Sequence, residues 1–356
     1  MSADPGPLTV PLEAADPPGL DLAALTVHWD THVRTARSGP LRARLVAGGR
    51  SNLTYLLDDG TTTWVLRRPP LGHVLATAHD MSREHRVMHA LHGSAVPVPA
   101  MVALCDDLQV LGAPFYVMSF VDGTVFRTDS QLDELSEERA SVVADQLVDV
   151  LADLHAIEPA AVRLEALGRP DGYLARQLRR WGRQLEGPGS RPLPQLHELG
   201  DRLAEAVPVT RRSSLVHGDY KLDNVVVDPD NGRISAVLDW EMATLGDPLM
   251  DLVNTCLWWE GVLGIDGRAF APAPATHPTF PGAERLVERY ARATGADLAD
   301  LAWYRGMACY KLAAIFEAMH ARSTQGLTVG EGFDGLDALA PALSERGHAA
   351  LSERVG

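Results

Sequence analysis

The run Leu215-Val-His-Gly-Asp-Tyr-Lys-Leu-Asp-Asn224, followed by Val237-Leu-Asp239, sets a His-x-Asp at His217 and Asp219, an amide at Asn224 and a second carboxylate at Asp239. These side-chain types suit phosphoryl transfer. One carboxylate orients an attacking hydroxyl and takes its proton, while an amide oxygen and another carboxylate hold Mg²⁺ on the phosphates of ATP. On this reading Asp219 is the base and Asn224 and Asp239 are the metal ligands. Lys221, two residues past Asp219, carries an ammonium able to neutralise the transferring group. A lone His-x-Asp means little, because Asp, Asn and Gly are common in turns; the joint spacing carries the argument.

Positioning these groups requires particular elements. Val225-Val-Val227 and Ile234-Ser-Ala-Val-Leu238 are β-prone runs, and Asp228-Pro-Asp-Asn-Gly232 between them is dense in turn residues. An antiparallel hairpin is expected. Asn224 then enters the first strand and Asp239 leaves the second, so both lie at one end, beside the loop bearing Asp219. Hard oxygen ligands gathered there suit Mg²⁺.

His217-Gly-Asp219 through Asn224, then Leu238-Asp-Trp-Glu241 and Gly246-Asp-Pro-x-x-Asp251, resemble the aminoglycoside phosphotransferase and choline kinase-like family. The resemblance is strongest to the branch linked to acyl-CoA dehydrogenases. Gly48-Gly-Arg-Ser-Asn-Leu-Thr-Tyr55, Trp64-Val-Leu-Arg-Arg-Pro-Pro70 and Phe115-Tyr-Val-Met-Ser-Phe-Val-Asp-Gly123 support it, and it covers about residues 40 to 320. It implies an α+β, protein-kinase-like bilobal fold, with an N-terminal antiparallel-sheet lobe and a larger, mainly helical C-terminal lobe. The implied cofactors are ATP and Mg²⁺. The expected division is a disordered tail over residues 1–18, a nucleotide-binding lobe over 19–122 and a catalytic and substrate lobe over 123–356.

Strands are expected at Leu41–Ala47, Leu53–Leu57 and Thr62–Arg67, after a helix over Asp21–Ala36. Gly48 and Gly49 between the first two strands let backbone approach a ligand closely, and Ser51 and Asn52 add donors, giving a lid over the phosphates. The segment matches neither common Gly-rich phosphate loop, and an ordinary hairpin turn remains its alternative. In the helix from about His79 to His92, Glu84, Val87, Met88 and Leu91 share an inward face. A carboxylate there needs a cation. Arg67 at the end of the third strand is the candidate, in the role kinases give to a strand cation paired with a helical Glu. The family commonly has Lys at this place, and Arg68 is the alternative partner. His85, His89 and His92 line a neighbouring face and read as solvated rather than metal-binding. Phe115–Phe120 resembles the hinge strand that binds adenine through its backbone, with Met118 and Phe120 bordering the base.

In the second lobe Val143, Leu147, Val150, Leu151 and Leu154 make a helical stripe, and His155 reads as a hydrogen-bonded structural residue. Tyr173–Leu185 is a basic amphipathic helix with Arg176, Arg179, Arg180 and Arg183 on its polar side. Asp247-Pro248 signals a helix start, Asp as N-cap and Pro as first residue. Asp251 is expected to brace the catalytic loop. The Pro- and Ala-rich stretch 264–281 reads as a mobile insertion near the substrate.

The composition excludes other classes. A formal charge of −15 argues against broad nucleic-acid binding. No apolar run is long enough to span a membrane, and the N-terminus lacks a secretory pattern. Three scattered cysteines point to reduced thiols and a cytoplasmic enzyme without structural zinc. The expected partner is a small-molecule hydroxyl substrate. Three functional readings remain open: a kinase for a hydroxyacyl-CoA or related hydroxy metabolite, an aminoglycoside or macrolide antibiotic kinase, and a catalytically inert nucleotide-binding regulatory module.

Overall fold

The computed structural model describes residues 16–48, 52–71, 80–187, 189–262, 271–326 and 335–353. They form two compact units. The first runs to His92 and includes Val98–Asp122; the second holds Gly93–Pro97 and the chain from Gly123 onward. The expectations for residues 1–15, Gly49 and Ser51 lie outside the described residues.

The first unit contains, in order, α1 (Leu22–His32), β1 (Arg42–Gly48), β2 (Leu53–Asp58), β3 (Thr63–Arg68), α2 (Met81–Leu91), β4 (Met101–Cys105), α3 (Leu108–Leu111) and β5 (Phe115–Ser119). Its five strands form one antiparallel sheet in the order β1-β2-β3-β5-β4. Strand alternation sorts the side chains to two faces. Tyr55 and Leu57 of β2, Trp64 and Leu66 of β3, and Phe115 and Val117 of β5 pack with Leu25 and Trp29 of α1 in one apolar cluster. The Trp29 and Trp64 rings lie 4.8 Å apart. Each large apolar side chain buried in this way stabilises the fold by about 1.5–3 kcal/mol. Asp21 caps α1 by accepting from the Ala24 N–H at 2.8 Å. The helix ends at His32, short of the expected Ala36. The β2–β3 turn is closed by Asp59, whose carboxylate accepts from the N–H groups of Thr61 and Thr62 at 2.9 and 2.8 Å.

The second unit contains α4 (Asp129–Leu132), α5 (Glu137–Ala156), α6 (Tyr173–Leu185), α7 (Pro194–Glu205), β6 (Ser214–Val216), β7 (Val225–Val227), β8 (Ile234–Val237), β9 (Thr244–Gly246), α8 (Pro248–Glu260), α9 (Ala283–Thr294), α10 (Leu301–Thr324) and α11 (Leu336–Ser352). β7 and β8 form the expected antiparallel hairpin, and β6 pairs with β9. Helix α8 is buried on every side from Pro248 to Trp259, which makes it the central element of this unit. Asp247 caps it, accepting from the Leu249 N–H at 3.1 Å and from the Tyr304 hydroxyl at 2.8 Å. The stripe on α5 is buried. Cys256 and Cys309 are buried free thiols, pushed up by burial to about 12 and about 11. They are inert packing residues.

The expectation of a mobile insertion fails over its described part. Ala273, Pro274 and Phe280 are buried. Phe280 meets the Trp259 ring edge-on at 5.5 Å, and the Trp259 indole N–H donates to the Pro281 carbonyl at 2.8 Å. The proline content reflects a tightly packed connection held by aromatic contacts. Residues 263–270 lie outside the described residues.

Candidate active site

In the first unit, alternation on β3 settles which arginine meets the helical carboxylate. Arg67 donates to Glu84 Oε2 at 2.7 Å, and Glu84 is fully buried. The Tyr116 hydroxyl donates to the same oxygen at 2.9 Å, and Asn52 Nδ2 donates to Oε1 at 3.1 Å. Arg68 points to the opposite face, donating to the Gly19 carbonyl and, at 2.9 Å, to the Leu111 carbonyl. Burial lowers the Arg68 pKa from its usual value. Arg68 is thus a structural tie, and Arg67 is the cation of the pair. Met118 pairs with Val65 of β3, on the same sheet face as Tyr116 and Arg67. Phe120 follows β5, half-buried, its N–H 3.4 Å from the Thr63 carbonyl. Gly48 closes β1.

In the second unit the β7–β8 register pairs Val225 with Val237, and the Leu238 N–H donates to the Asn224 carbonyl at 2.8 Å. Asn224 and Asp239 therefore stand at the same end of the hairpin. Asp239 sits at φ +66°, one of two described non-glycine residues with left-handed backbone, a conformation that concentrates at functional sites. The Asn224 side-chain N–H group donates to the Asp219 carbonyl and to Asp219 Oδ2, at 2.9 and 3.1 Å. This commits the amide nitrogen to Asp219 and turns the amide oxygen the other way. An amide oxygen with carboxylates at one hairpin end is the hard-donor chemistry that fits Mg²⁺.

Lys221 Nζ lies 3.4 Å from Asp219 Oδ2 and 3.4 Å from Asp223 Oδ2, and 4.4 Å above the Trp258 ring. Burial alone would lower its pKa, but the carboxylates of Asp219, Asp223 and Asp239 together outweigh burial and hold the ammonium above its usual range. Burial raises the Asp223 pKa, and Lys221 opposes that rise.

The loop that carries Asp219 is held at nearly every backbone group. Asp251 of α8 accepts from the N–H of His217 at 2.6 Å and of Gly218 at 2.8 Å. His155 Nε2, 3.3 Å from Asp251 Oδ2, and Tyr290, 2.7 Å from His155 Nδ1, buttress that carboxylate. Burial pushes the Asp251 pKa up, but these hydrogen bonds and the nearby imidazoles bring it below the usual carboxylate value. His217 Nδ1 accepts from the Asp219 N–H at 3.2 Å, so its proton is assigned to Nε2, which donates to the Leu238 carbonyl at 2.8 Å. The Thr255 hydroxyl lies 2.9 Å from the Tyr220 carbonyl, and the Tyr220 hydroxyl donates to the Leu147 carbonyl at 3.0 Å. Gly218 has φ +85°, and a Cβ there would stand 2.7 Å from the Met242 carbonyl oxygen, so only glycine fits.

Sequence reasoning anticipates the bracing by Asp251 and the structural role of His155. It does not find Lys311 of α10, a buried lysine whose Nζ donates to the Gly218 carbonyl at 2.6 Å. Its only sequence signal is a lysine inside the apolar run Met307–Phe316, which reads equally well as a helix-face charge. The contact of Lys221 with Trp258 is likewise invisible in spacing. On α6, Arg176 caps the carbonyls of Arg169 and Asp171, Arg180 stacks 4.8 Å over Trp181, and Arg179 and Arg183 are exposed. No described helix is long and apolar enough to cross a membrane.

Comparisons with known proteins place this geometry in a family. The chain is 32% identical over 326 residues to acyl-CoA dehydrogenase family member 11 of Gallus gallus, covering 89% of this chain and 41% of that protein. It is 32% identical over 294 residues to family member 10 of Mus musculus, covering 82% of this chain and 27% of that protein. The chain thus spans about two fifths or less of the length of these curated relatives. A solved chain from Ralstonia eutropha JMP134, provisionally described as an aminoglycoside phosphotransferase, superposes with a TM-score of 0.79 at 32% identity, covering 93% of this chain and 98% of that one. Residues 42–307 match the profile described as the phosphotransferase enzyme family, a span that holds the Arg67–Glu84 pair, the Asp219 loop and the Asn224–Asp239 hairpin end: the chain belongs to that family.

Proposed function

We propose that this phosphotransferase is an ATP-dependent small-molecule kinase, moving the γ-phosphoryl group of ATP to a hydroxyl of a hydroxyacyl-CoA or related hydroxy metabolite. The observation that carries the reading is the Asp219–Asn224 contact at the hairpin end that also bears Asp239. Asn224 and Asp239 would hold Mg²⁺, which when bound neutralises phosphate charge. Asp219 orients the acceptor hydroxyl and accepts its proton. Because its loop is fixed by Asp251, His217 and Lys311, the carboxylate is positioned before the acceptor arrives, and positioning is the main contribution in this chemistry. The Lys221 ammonium offsets charge on the transferring group. In the first unit, Glu84 orients Arg67 toward the nucleotide phosphates, and Met118 and Phe120 border the base. Residues 19–122 thus act as the nucleotide-binding lobe and 123–356 as the catalytic and substrate lobe.

The acceptor class rests on the similarity to acyl-CoA dehydrogenase family members 10 and 11. The second reading is an aminoglycoside or macrolide acceptor, and the likeness to the Ralstonia chain favours the aminoglycoside within it. Mass spectrometry of the protein with Mg-ATP and a panel of hydroxyacyl-CoAs, aminoglycosides, macrolides, choline-like amines and sugars separates them. A phosphoryl mass gain on a hydroxyacyl-CoA supports the first reading, and one on an antibiotic supports the second. ATP binding without product on any member would reduce the protein to a nucleotide-binding module.

A further inference from the structure

Asp251 and His217 fix three N–H groups of the loop that carries Asp219, but N–H groups alone do not set the tilt of the peptide plane entering Asp219. That plane joins the Gly218 carbonyl to the Asp219 N–H. Its N–H donates to His217 Nδ1 at 3.2 Å, and its carbonyl accepts from Lys311 Nζ at 2.6 Å. Lys311 lies in the middle of α10, 8% exposed, with Met307, Ala308, Leu312, Ala314 and Phe316 buried around it.

Burying an ammonium is costly, and an apolar residue of similar length often fills such a place without loss of stability. A lysine is therefore explained by what its charge and direction accomplish. Burial pulls the Lys311 pKa below its usual value; the carboxylates of Asp219 and Asp251 act to keep the ammonium charged, and Arg180 of α6 and Lys221 act against it. Gly218, with its left-handed backbone and no room for a Cβ, lets the carbonyl turn toward α10. We infer that Lys311 is a positioning residue for phosphoryl transfer, setting the Gly218–Asp219 peptide plane and through it the aim of the Asp219 carboxylate. The inference rests on the proposed role of Asp219 as base. Lys311 acts as the counterpart of Asp251: α8 holds the loop by its N–H groups and α10 by its carbonyl.

The test compares the full-length wild type with K311M and K311R by hydrogen–deuterium exchange and by ADP formation from Mg-ATP, with water or the identified hydroxyl compound as acceptor. In K311M, amide exchange across residues 217–220 should accelerate while α8 and α10 stay protected. Turnover should fall on the order of a hundredfold, the loss expected when a reacting group is misplaced by about 1 Å. Affinity for ATP should stay within about twofold of the wild type, on the same ground that Lys311 acts on aim rather than on nucleotide binding. K311R keeps a cationic donor and should return both readouts toward the wild type. Wild-type exchange and turnover in K311M would overturn the inference, as would a loop equally mobile in K311R and K311M. Absence of ADP formation by the wild type itself with every acceptor would instead remove the kinase reading, leaving the exchange comparison to judge Lys311 independently.

Discussion

The two units place a carboxylate by opposite means. In the first, Glu84 rides on a helix and meets Arg67 because strand alternation aims one arginine of an adjacent pair at it and sends the other to the far face. Regular structure does the placing, and the partners are side chains. In the second, Asp219 sits on an irregular loop, and its position comes from hydrogen bonds between loop backbone and side chains of two helices. A strand-and-helix pair can be aimed by period alone. A catalytic loop needs a scaffold of buried polar groups, and α8 and α10 supply it.

The largest expected effect lies at the hairpin end. D239N should lower turnover by about a thousandfold or more, the scale of losing a principal electrostatic group of an active site. The loss should be partly recovered at raised Mg²⁺ concentration, read by initial rates across a Mg²⁺ titration. Full activity at ordinary Mg²⁺ would remove Asp239 from the metal site and leave its left-handed backbone without a functional account.

Next is the scaffold. D251N keeps an acceptor for one loop N–H but turns an amide NH2 toward the other and removes the buried charge, and should cost about 3–5 kcal/mol, the range for breaking a buried charged network, measured by chemical denaturation. It should also change the pH dependence. The folded-state pKa of Asp251 is lowered, so its stabilising contribution is fully present above the unfolded carboxylate value of about 3.9 and is lost as pH falls through the folded value. The wild type should therefore lose stability on acidification below about pH 4 more steeply than D251N does. Parallel acid limbs would contradict the assignment.

The adjacent arginines sharpen the contrast within the first unit. R67M takes the Arg67 guanidinium from the fully buried Glu84, leaving Tyr116 and Asn52 to donate to it, and should destabilise by about 3 kcal/mol while weakening ATP binding. R68M removes ties to the Gly19 and Leu111 carbonyls and should cost about 1–2 kcal/mol with ATP affinity unchanged. Thermal unfolding with and without nucleotide reads both. Equal loss of nucleotide affinity in the two variants would mean that sheet face does not divide their roles.

The pattern of what the sequence revealed follows the same division. The hairpin, the inward face of α2 and the α8 cap are legible because each is local, set by period, turn chemistry or short spacing; the bracing by Asp251 spans 34 residues to His217 and is anticipated only beside the Gly246-Asp-Pro-x-x-Asp251 motif that carries the resemblance. The choice between Arg67 and Arg68 stays open at that stage, because alternation fixes opposite faces but not which face α2 covers. Lys311 is illegible for a different reason. It lies 93 residues from Gly218 in sequence and meets it only because helices of the second unit pack as they do. The stretch 271–281 misleads because proline content resembles a loose insertion, whereas Phe280 and Trp259 pin it down.

The central claim is that Asp219, held by this scaffold, aims and deprotonates an acceptor hydroxyl. Single-turnover transfer from Mg-ATP to one identified acceptor, compared between wild type and D219N at saturating nucleotide, tests it most directly. The account expects the transfer step to slow by about a hundredfold to ten-thousandfold, with ATP affinity and thermal stability near the wild-type values. Transfer at the wild-type rate in D219N would contradict it.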